Sequence, residues 1–274
     1  MIKLSKEAEE YITSTNFGAF KMNGIVYYFK NELKEKAGLE LVLEEVAKRI
    51  NLHCAHYDIV KLNDEYYYLS TDINTYGKFT QLSYYYTKDK KKNDVYIEDN
   101  ADGNISLYNI WHVLEGNYKD DIESLMKDIV KTYILDILFS NPDRHMNNIG
   151  ILEKDGKPTV YIFDNSYSFI SDMNVVISSK YLEYYDSNIN YNDNILNNVR
   201  DLKEFLSTSS EEYIDLCINI LDKLTPEYVS KVFLDVAYYN KLNDFKKEEY
   251  IDAYRYNYEL VKNMIVKREL WWMK

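Results

Sequence analysis

The sequence predicts an α+β protein in two lobes, a small sheet-bearing N-terminal lobe over residues 1–75 and a larger, mainly helical lobe over residues 76–274. Three observations predict it. Two turn signals between aromatic and β-branched runs bracket a single helical stretch within the first 75 residues. From Ile122 the apolar positions recur at three and four residues, the spacing of one buried helix face. Residues 200–223 and 225–270 then read as further helices.

The elements follow in chain order. Residues 5–12 form a short helix, and Phe17 to Lys30 form two strands around Met22-Asn23-Gly24. Asn-Gly is a strong hairpin signal because both residues tolerate positive φ. Residues 39–50 place Leu39, Leu43, Val46, Ala47 and Ile50 at helical spacing, with Glu40, Glu44 and Glu45 along the same helix. Tyr57–Leu62 and Tyr66–Ser70 flank Asn63-Asp64-Glu65 as a second hairpin. Residues 72–105 are polar and rich in Tyr, show no clear period, and contain a turn at Ala101-Asp102-Gly103-Asn104. The buried helix from Ile122 ends before Pro142, since the residue ahead of a proline is pushed out of the helical region. Ile149–Leu152 and Thr159–Phe163 make a third hairpin through Lys154-Asp155-Gly156-Lys157-Pro158, and Thr225-Pro226-Glu227 reads as a helix cap and first turn.

Composition narrows the function classes. The chain has 45 acidic against 33 basic residues, a net charge of −12, and this argues against direct nucleic-acid binding, which needs a basic face. Lys88, Lys90, Lys91 and Lys92 form one local basic cluster, read as a solvated loop. The 29 tyrosines reflect compositional bias together with strand preference. Two cysteines are too few for a disulfide framework and suit a reducing compartment. Met1 to Glu10 lacks an apolar core and no run approaches the length of a membrane span, so a cytoplasmic chain is expected, with export independent of a signal peptide as the alternative. His53-Cys54-Ala55-His56 superficially suggests a metal, but no second ligand pair stands at zinc spacing, and an edge strand is the better reading. Trp271-Trp272 reads as an anchor for the last helix.

The segment with chemistry in it is Asn141-Pro142-Asp143-Arg144-His145-Met146-Asn147-Asn148, followed by Asp164 in Tyr161-Ile162-Phe163-Asp164-Asn165. Asn-Pro-Asp alone is ordinary turn chemistry. A buried helix, an Asp-Arg-His-x-x-Asn loop, a short hairpin and then an Asp is more specific, because a hairpin returns its two ends to one place. Asn148 and Asp164 are thereby placed within reach of one Mg²⁺, and Asp143 within reach of an attacking hydroxyl. This is what phosphoryl transfer from ATP requires.

That loop resembles the Asn-x-Asp-x-His-x-x-Asn loop of HipA-type protein kinases, and its Asp-Arg-His is also similar to the catalytic loop of phosphatidylinositol kinases. The resemblance implies a two-lobed protein-kinase-like fold with ATP between the lobes. It implies that Asp143 is the catalytic aspartate, Asn148 a metal-binding amide and Asp164 the metal aspartate. Asp164-Asn165-Ser166 stands where a eukaryotic kinase has Asp-Phe-Gly, and HipA-type enzymes lack that tripeptide too. Ile25-Val26-Tyr27-Tyr28-Phe29-Lys30 resembles the strand that aims a lysine at the nucleotide phosphates, with Glu40 as its ion-pair partner and Glu44 as the competitor. The resemblance further implies a flexible loop over the phosphates at Thr13-Ser14-Thr15-Asn16-Phe17-Gly18, with Ser14 as an autophosphorylation site, and adenine contacts from the backbone of Tyr68 to Asp72. His145 is expected to be structural; Arg144 either neutralises nearby carboxylates or contacts phosphate. The larger HipA proteins carry an extra N-terminal domain ahead of the lysine strand, and a compact member is expected here. The implied activity is an ATP- and Mg²⁺-dependent serine/threonine protein kinase of the toxin type, with a protein substrate and an antitoxin partner. A lipid or small-molecule kinase, and a nucleotide-binding pseudokinase serving as an interaction module, are the alternatives.

Overall fold

The computed structural model describes residues 4–15, 17–31, 34–63, 65–93, 106–141, 143–165, 168–169, 193–240, 242 and 245–266. The predicted turn at 101–104 and the tryptophans Trp271 and Trp272 lie outside them. Helix α1 (Lys6–Ser14) starts at Ser5, whose hydroxyl accepts from the Ala8 N–H at 3.2 Å, and it buries Ala8 and Ile12. Strands β1 (Phe17–Met22) and β2 (Ile25–Asn31) follow, joined by Asn23 and Gly24 at φ 52° and 83°, the left-handed pair that a tight hairpin demands. Next come α2 (Lys34–Arg49), the two-residue strand β3 (His53–Cys54), and the hairpin β4 (Tyr57–Leu62) and β5 (Glu65–Thr71).

The stretch without clear sequence periodicity holds a 3-10 turn (Ile73–Thr75), strand β6 (Lys78–Gln81) and helix α3 (Leu82–Asn93). The lysines read as a loop therefore belong to the second half of a helix. Periodicity missed α3 because Leu82, Tyr85 and Tyr86, buried in its first half, are followed from Thr87 to Asn93 by polar residues alone, so no apolar period is sustained. After α4 (Leu107–Glu115) comes α5 (Ile122–Leu138), buried from Thr132 to Leu138 without a break. Strands β7 (Ile149–Lys154) and β8 (Lys157–Ile162) turn through Asp155 and Gly156, again at positive φ. Among the described residues, helices α6 (Asp193–Thr208), α7 (Glu211–Lys223), α8 (Pro226–Tyr239) and α9 (Lys247–Val266) follow. None of the described helices is long and apolar enough to cross a membrane.

The strands make two four-stranded sheets, in the orders β1-β2-β5-β4 and β3-β8-β7-β6. The first is antiparallel throughout; in the second, β3 pairs in parallel with β8, His53 opposite Tyr161 and Cys54 opposite Ile162. A two-residue strand from the N-terminal third thus completes a sheet whose other members lie beyond residue 75. Packing crosses that boundary as well. The largest core joins Leu39, Val42 and Val46 of α2 to Ile134 of α5, Phe233 of α8 and Tyr254 of α9. The first sheet keeps a small core of its own around Ile12, Phe29, Val60, Tyr67 and Leu69. Gly38 marks the close approach of α2: a Cβ there would stand 2.8 Å from the ring of buried Phe245. The fold is α+β as the sequence predicts, but α2 packs with the helical part.

Candidate active site

The site begins where α5 stops. Ser140 takes φ 46° and turns the chain, and the Asn141 N–H donates to the Asp136 carbonyl at 2.8 Å. Asn141 also holds the loop with its side chain: Nδ2 donates to Asp136 Oδ1 at 3.1 Å, and Oδ1 accepts from the Asp143 N–H at 3.1 Å. Asp143 is left with a side chain 39% exposed. Asn148 Nδ2 donates to the Asp143 carbonyl at 3.1 Å and to its carboxylate at 3.4 Å, which directs the amide oxygen away from Asp143. His145 accepts the Asn147 N–H on Nδ1 at 3.1 Å. That bond braces the loop, in line with a structural role, while Nε2 lies 4.0 Å from Asp143 Oδ1, beyond hydrogen-bond reach.

The hairpin returns β8 to this loop. The Phe163 N–H donates to the Asn148 carbonyl at 3.2 Å, and the next residue, Asp164, sits at φ 54° with its N–H on the Tyr57 hydroxyl at 3.2 Å. A carboxylate at positive φ just past a strand is held by its surroundings against its own preference. Across the cleft Lys30 Nζ donates to Asp164 Oδ2 at 3.2 Å, joining β2 to the end of β8 over 134 positions of sequence. Lys30 reaches that position because it registers with Tyr68 on β5, and both line the same cavity. The cavity holds about 390 Å³, with Tyr28, Ser70, Asp72, Phe79 and Phe163 among its other lining residues.

The expected ion pair between Lys30 and an α2 glutamate is not formed. Glu40 is fully buried and accepts from Asn165 Nδ2 at 3.3 Å, while its other oxygen has no hydrogen-bond partner. Burial, and then the nearby Asp164 charge, push its pKa up to about 8. Glu44, one turn further along α2, is engaged with other partners, accepting from Lys48 at 2.6 Å, from the Tyr57 N–H at 3.1 Å and from His56 at 2.5 Å. Burial alone would raise the Glu44 pKa, but these hydrogen bonds outweigh it and lower it. Position along a helix could not tell the two apart, since either glutamate lies within a turn of the other.

The segment read as a loop over the phosphates is also different. Thr13 and Ser14 close the last turn of α1, because their hydroxyls fold back onto the carbonyls of Glu9 and Tyr11 at 2.9 and 2.8 Å. Phe17 and Gly18 already belong to β1, and Asn16 lies outside the described residues. Of the segment expected to meet adenine, Tyr68, Ser70, Thr71 and Asp72 do line the cavity, but the Asp72 N–H is spent on the Val26 carbonyl at 2.9 Å.

Arg144 resolves toward carboxylate. It is buried and lies on Asp136, Nε to Oδ2 at 3.1 Å and Nη2 to Oδ1 at 3.2 Å. Its Nη1 donates to the carbonyls of Asn148 and Phe163, each at 3.0 Å, and Nη2 donates to the Asn165 side chain. Asp136, Asn141 and Asn165 were not among the sequence-level candidates. Asp136 did carry a signal: a carboxylate inside an otherwise apolar helix face needs a buried partner.

The His53 to His56 segment holds no metal geometry. His53 and Cys54 form the edge strand β3, His56 pairs with Glu44, and burial pushes the Cys54 thiol up to about 12. No group of three His, Cys, Asp or Glu side chains among the described residues is arranged to hold a metal. One carboxylate and one amide at the two ends of a hairpin are a different donor set. They offer hard oxygens, and they suit Mg²⁺, which keeps waters and phosphate oxygens for the rest of its shell.

Lys30 and Asp164 line the cleft, and the loop of Asp143 and Asn148 joins Asp164 through the β7–β8 hairpin; this is the arrangement of a kinase-like fold, and the comparisons with solved structures show that fold. The chain superposes on the Helicobacter pylori proinflammatory kinase CtkA with a TM-score of 0.57 and 14% identity, covering 92% of each chain. It is also similar to a chain of the HipA, HipB and operator DNA complex from Shewanella oneidensis MR-1, a toxin–antitoxin system, with a TM-score of 0.50 and 13% identity. There the match covers 89% of this chain and spans 58% of the other. The sequence matches no protein-family profile and no curated protein.

Proposed function

We propose that this chain is an ATP-dependent serine/threonine protein kinase of the HipA-like type, a toxin that phosphorylates a cellular protein and is held in check by an antitoxin. The observation that carries the reading is the contact between Lys30 and Asp164 across the cleft, at 3.2 Å. It sets a cation for the α- and β-phosphates against a carboxylate for the metal, with Asn148 and Asp143 at the other end of the same hairpin. The division of labour is a nucleotide-gripping part over residues 1–75 and a catalytic part over 76–274, although the two share a core.

When bound, Mg²⁺ neutralises charge on the phosphates, and the oxygens of Asn148 and Asp164 are the ones to hold it. Lys30 leaves Asp164 for the phosphates as the nucleotide enters. Asp143 orients the acceptor hydroxyl and takes its proton. The acceptor oxygen forms a bond to the γ-phosphorus while the bond to the bridging oxygen breaks, and ADP leaves. Glu40 supports Asp164 through Asn165 in place of an ion pair with Lys30. Ser14 is exposed one turn before β1 and is the proposed autophosphorylation site; peptide mapping of protein incubated with ATP should find phosphate there.

The test is to incubate purified protein with γ-labelled ATP, Mg²⁺ and a cell lysate. Label on protein serine or threonine is the expected result. Label confined to lipid or small molecules makes it a kinase of another substrate class, and nucleotide-dependent stabilisation without transfer makes it a binding module.

A further inference from the structure

Arg144 lies beside the candidate catalytic aspartate but does not face the cleft. A guanidinium has five N–H donors, and here each has a protein acceptor. Nε and one Nη2 donor go to Asp136, both Nη1 donors to the carbonyls of Asn148 and Phe163, and the remaining one to Asn165. None is left for a phosphate. The two carbonyls belong to Asn148 itself and to the residue just ahead of Asp164. One planar group therefore bridges the two chain segments that carry the candidate metal ligands.

We propose that Arg144 is a positioning residue that sets the spacing of Asn148 and Asp164, aimed from behind by Asp136 and tied through Asn165 to Glu40 on α2. The inference rests on the kinase reading above. A buried ion pair is by itself weak evidence of stabilisation, because desolvation consumes most of its attraction. What distinguishes this one is the destination of the other three donors. Lysine cannot replace it: an ammonium is a point charge and cannot hold a carboxylate, two carbonyls and an amide in one plane. The chain of contacts also explains why Glu40 is buried away from Lys30. Its carboxyl meets the Asn165 amide at 3.3 Å, and that residue's oxygen receives the guanidinium.

The test compares nucleotide binding by calorimetry, with and without Mg²⁺, in the parent, Arg144→Lys and Asn165→Ala, alongside thermal unfolding of each. In the parent, Mg²⁺ should tighten ATP binding. In Arg144→Lys the Mg²⁺ concentration for half-maximal enhancement should rise by about 10–100-fold, the usual cost of losing a group behind a metal ligand, while ATP binding without Mg²⁺ stays at the parent value. Asn165→Ala removes one of the grips but keeps the pair of Arg144 with Asp136; it should shift in the same direction by less, and it reports if Arg144→Lys fails to fold. A folded Arg144→Lys with the parent's Mg²⁺ dependence overturns the positioning role and leaves the kinase reading intact, as does an unshifted Asn165→Ala. A parent in which Mg²⁺ does nothing to ATP binding overturns both.

Discussion

Asp143 and Asp164 sit 21 positions apart, and their surroundings set them to different work. Asp143 is held by the Asn141 turn and the Asn148 amide, with its carboxylate open to an incoming hydroxyl. Asp143→Asn should therefore fold and bind Mg²⁺-ATP like the parent while transferring phosphate roughly 10²–10⁴ times more slowly. Asp164→Asn should lose transfer and also the Mg²⁺ dependence of nucleotide binding, which titration with and without the metal will separate from the first case. Neither substitution should lower stability much. The Lys30 and Asp164 side chains are 44% and 28% exposed, and half-exposed pairs are screened by water. A third residue carries a pH signature. Asp58 and then Glu44 raise the His56 pKa to about 10, so its stabilising charge is fully present below 6.5, the ordinary histidine value, and is lost as pH rises through about 10. The melting-temperature advantage of the parent over His56→Gln should be largest at or below pH 6.5 and vanish above about pH 10; a constant difference across that range would remove the assignment. At this scale the sequence was most informative about Asp143, Asn148 and Asp164, because a hairpin makes their proximity a local matter. It could not show the partner of Lys30, which depends on how two sheets face each other.

At the scale of elements, hairpins and the long apolar helix were legible and the edges of the second sheet were not. Asn-Gly and Asp-Gly turns declare themselves through residues that accept positive φ, and α5 declares itself by burying nearly every side. By contrast β6 is four residues long and β3 two, too short for an alternation to register, and both are made by the sheet they join. Helix α1 runs on past the predicted end, where the Tyr11 carbonyl, left without an intrahelical partner, accepts from the hydroxyls of Ser14 and Thr15. Element packing also yields a prediction at Gly38. Alanine is the better helix former by about 1 kcal/mol, yet its Cβ would meet the Phe245 ring at 2.8 Å. That ring is buried against Phe233 and Tyr250, with centroids 5.9 and 5.4 Å away, so a shift would disturb both contacts. Overpacking of this kind costs about 1–3 kcal/mol, so Gly38→Ala should lower the free energy of unfolding in urea, and Phe245→Leu in the same chain should restore part of it. A gain in stability would mean that α2 is not clamped as described.

For the whole molecule, the sharing of one core by α2 and the helical part decides what moves. Helix α2 packs along α8, so it cannot swing with the first sheet without opening the main core. Hydrogen exchange should find the amides of residues 39–47 in the same slow class as those of α5, with β1 and β2 exchanging earlier. Early exchange in α2 would show that it travels with the first sheet instead.

The parallel pairing of β3 with β8 has a bearing on how the chain is made. Ala55 donates to the Ile162 carbonyl at 3.0 Å, across more than a hundred residues that must be synthesised in between. On a ribosome, the first third would emerge with α2 lacking its packing partners and β3 lacking its neighbour, and closure of so long a loop is slow. Lys30 meets Asp164 only after β8 exists, and α2 gains its seat only once α8 and α9 have been released. A nascent chain that has not passed Asp164 is therefore without a site, and one that has not passed α8 holds α2 without its packing partner.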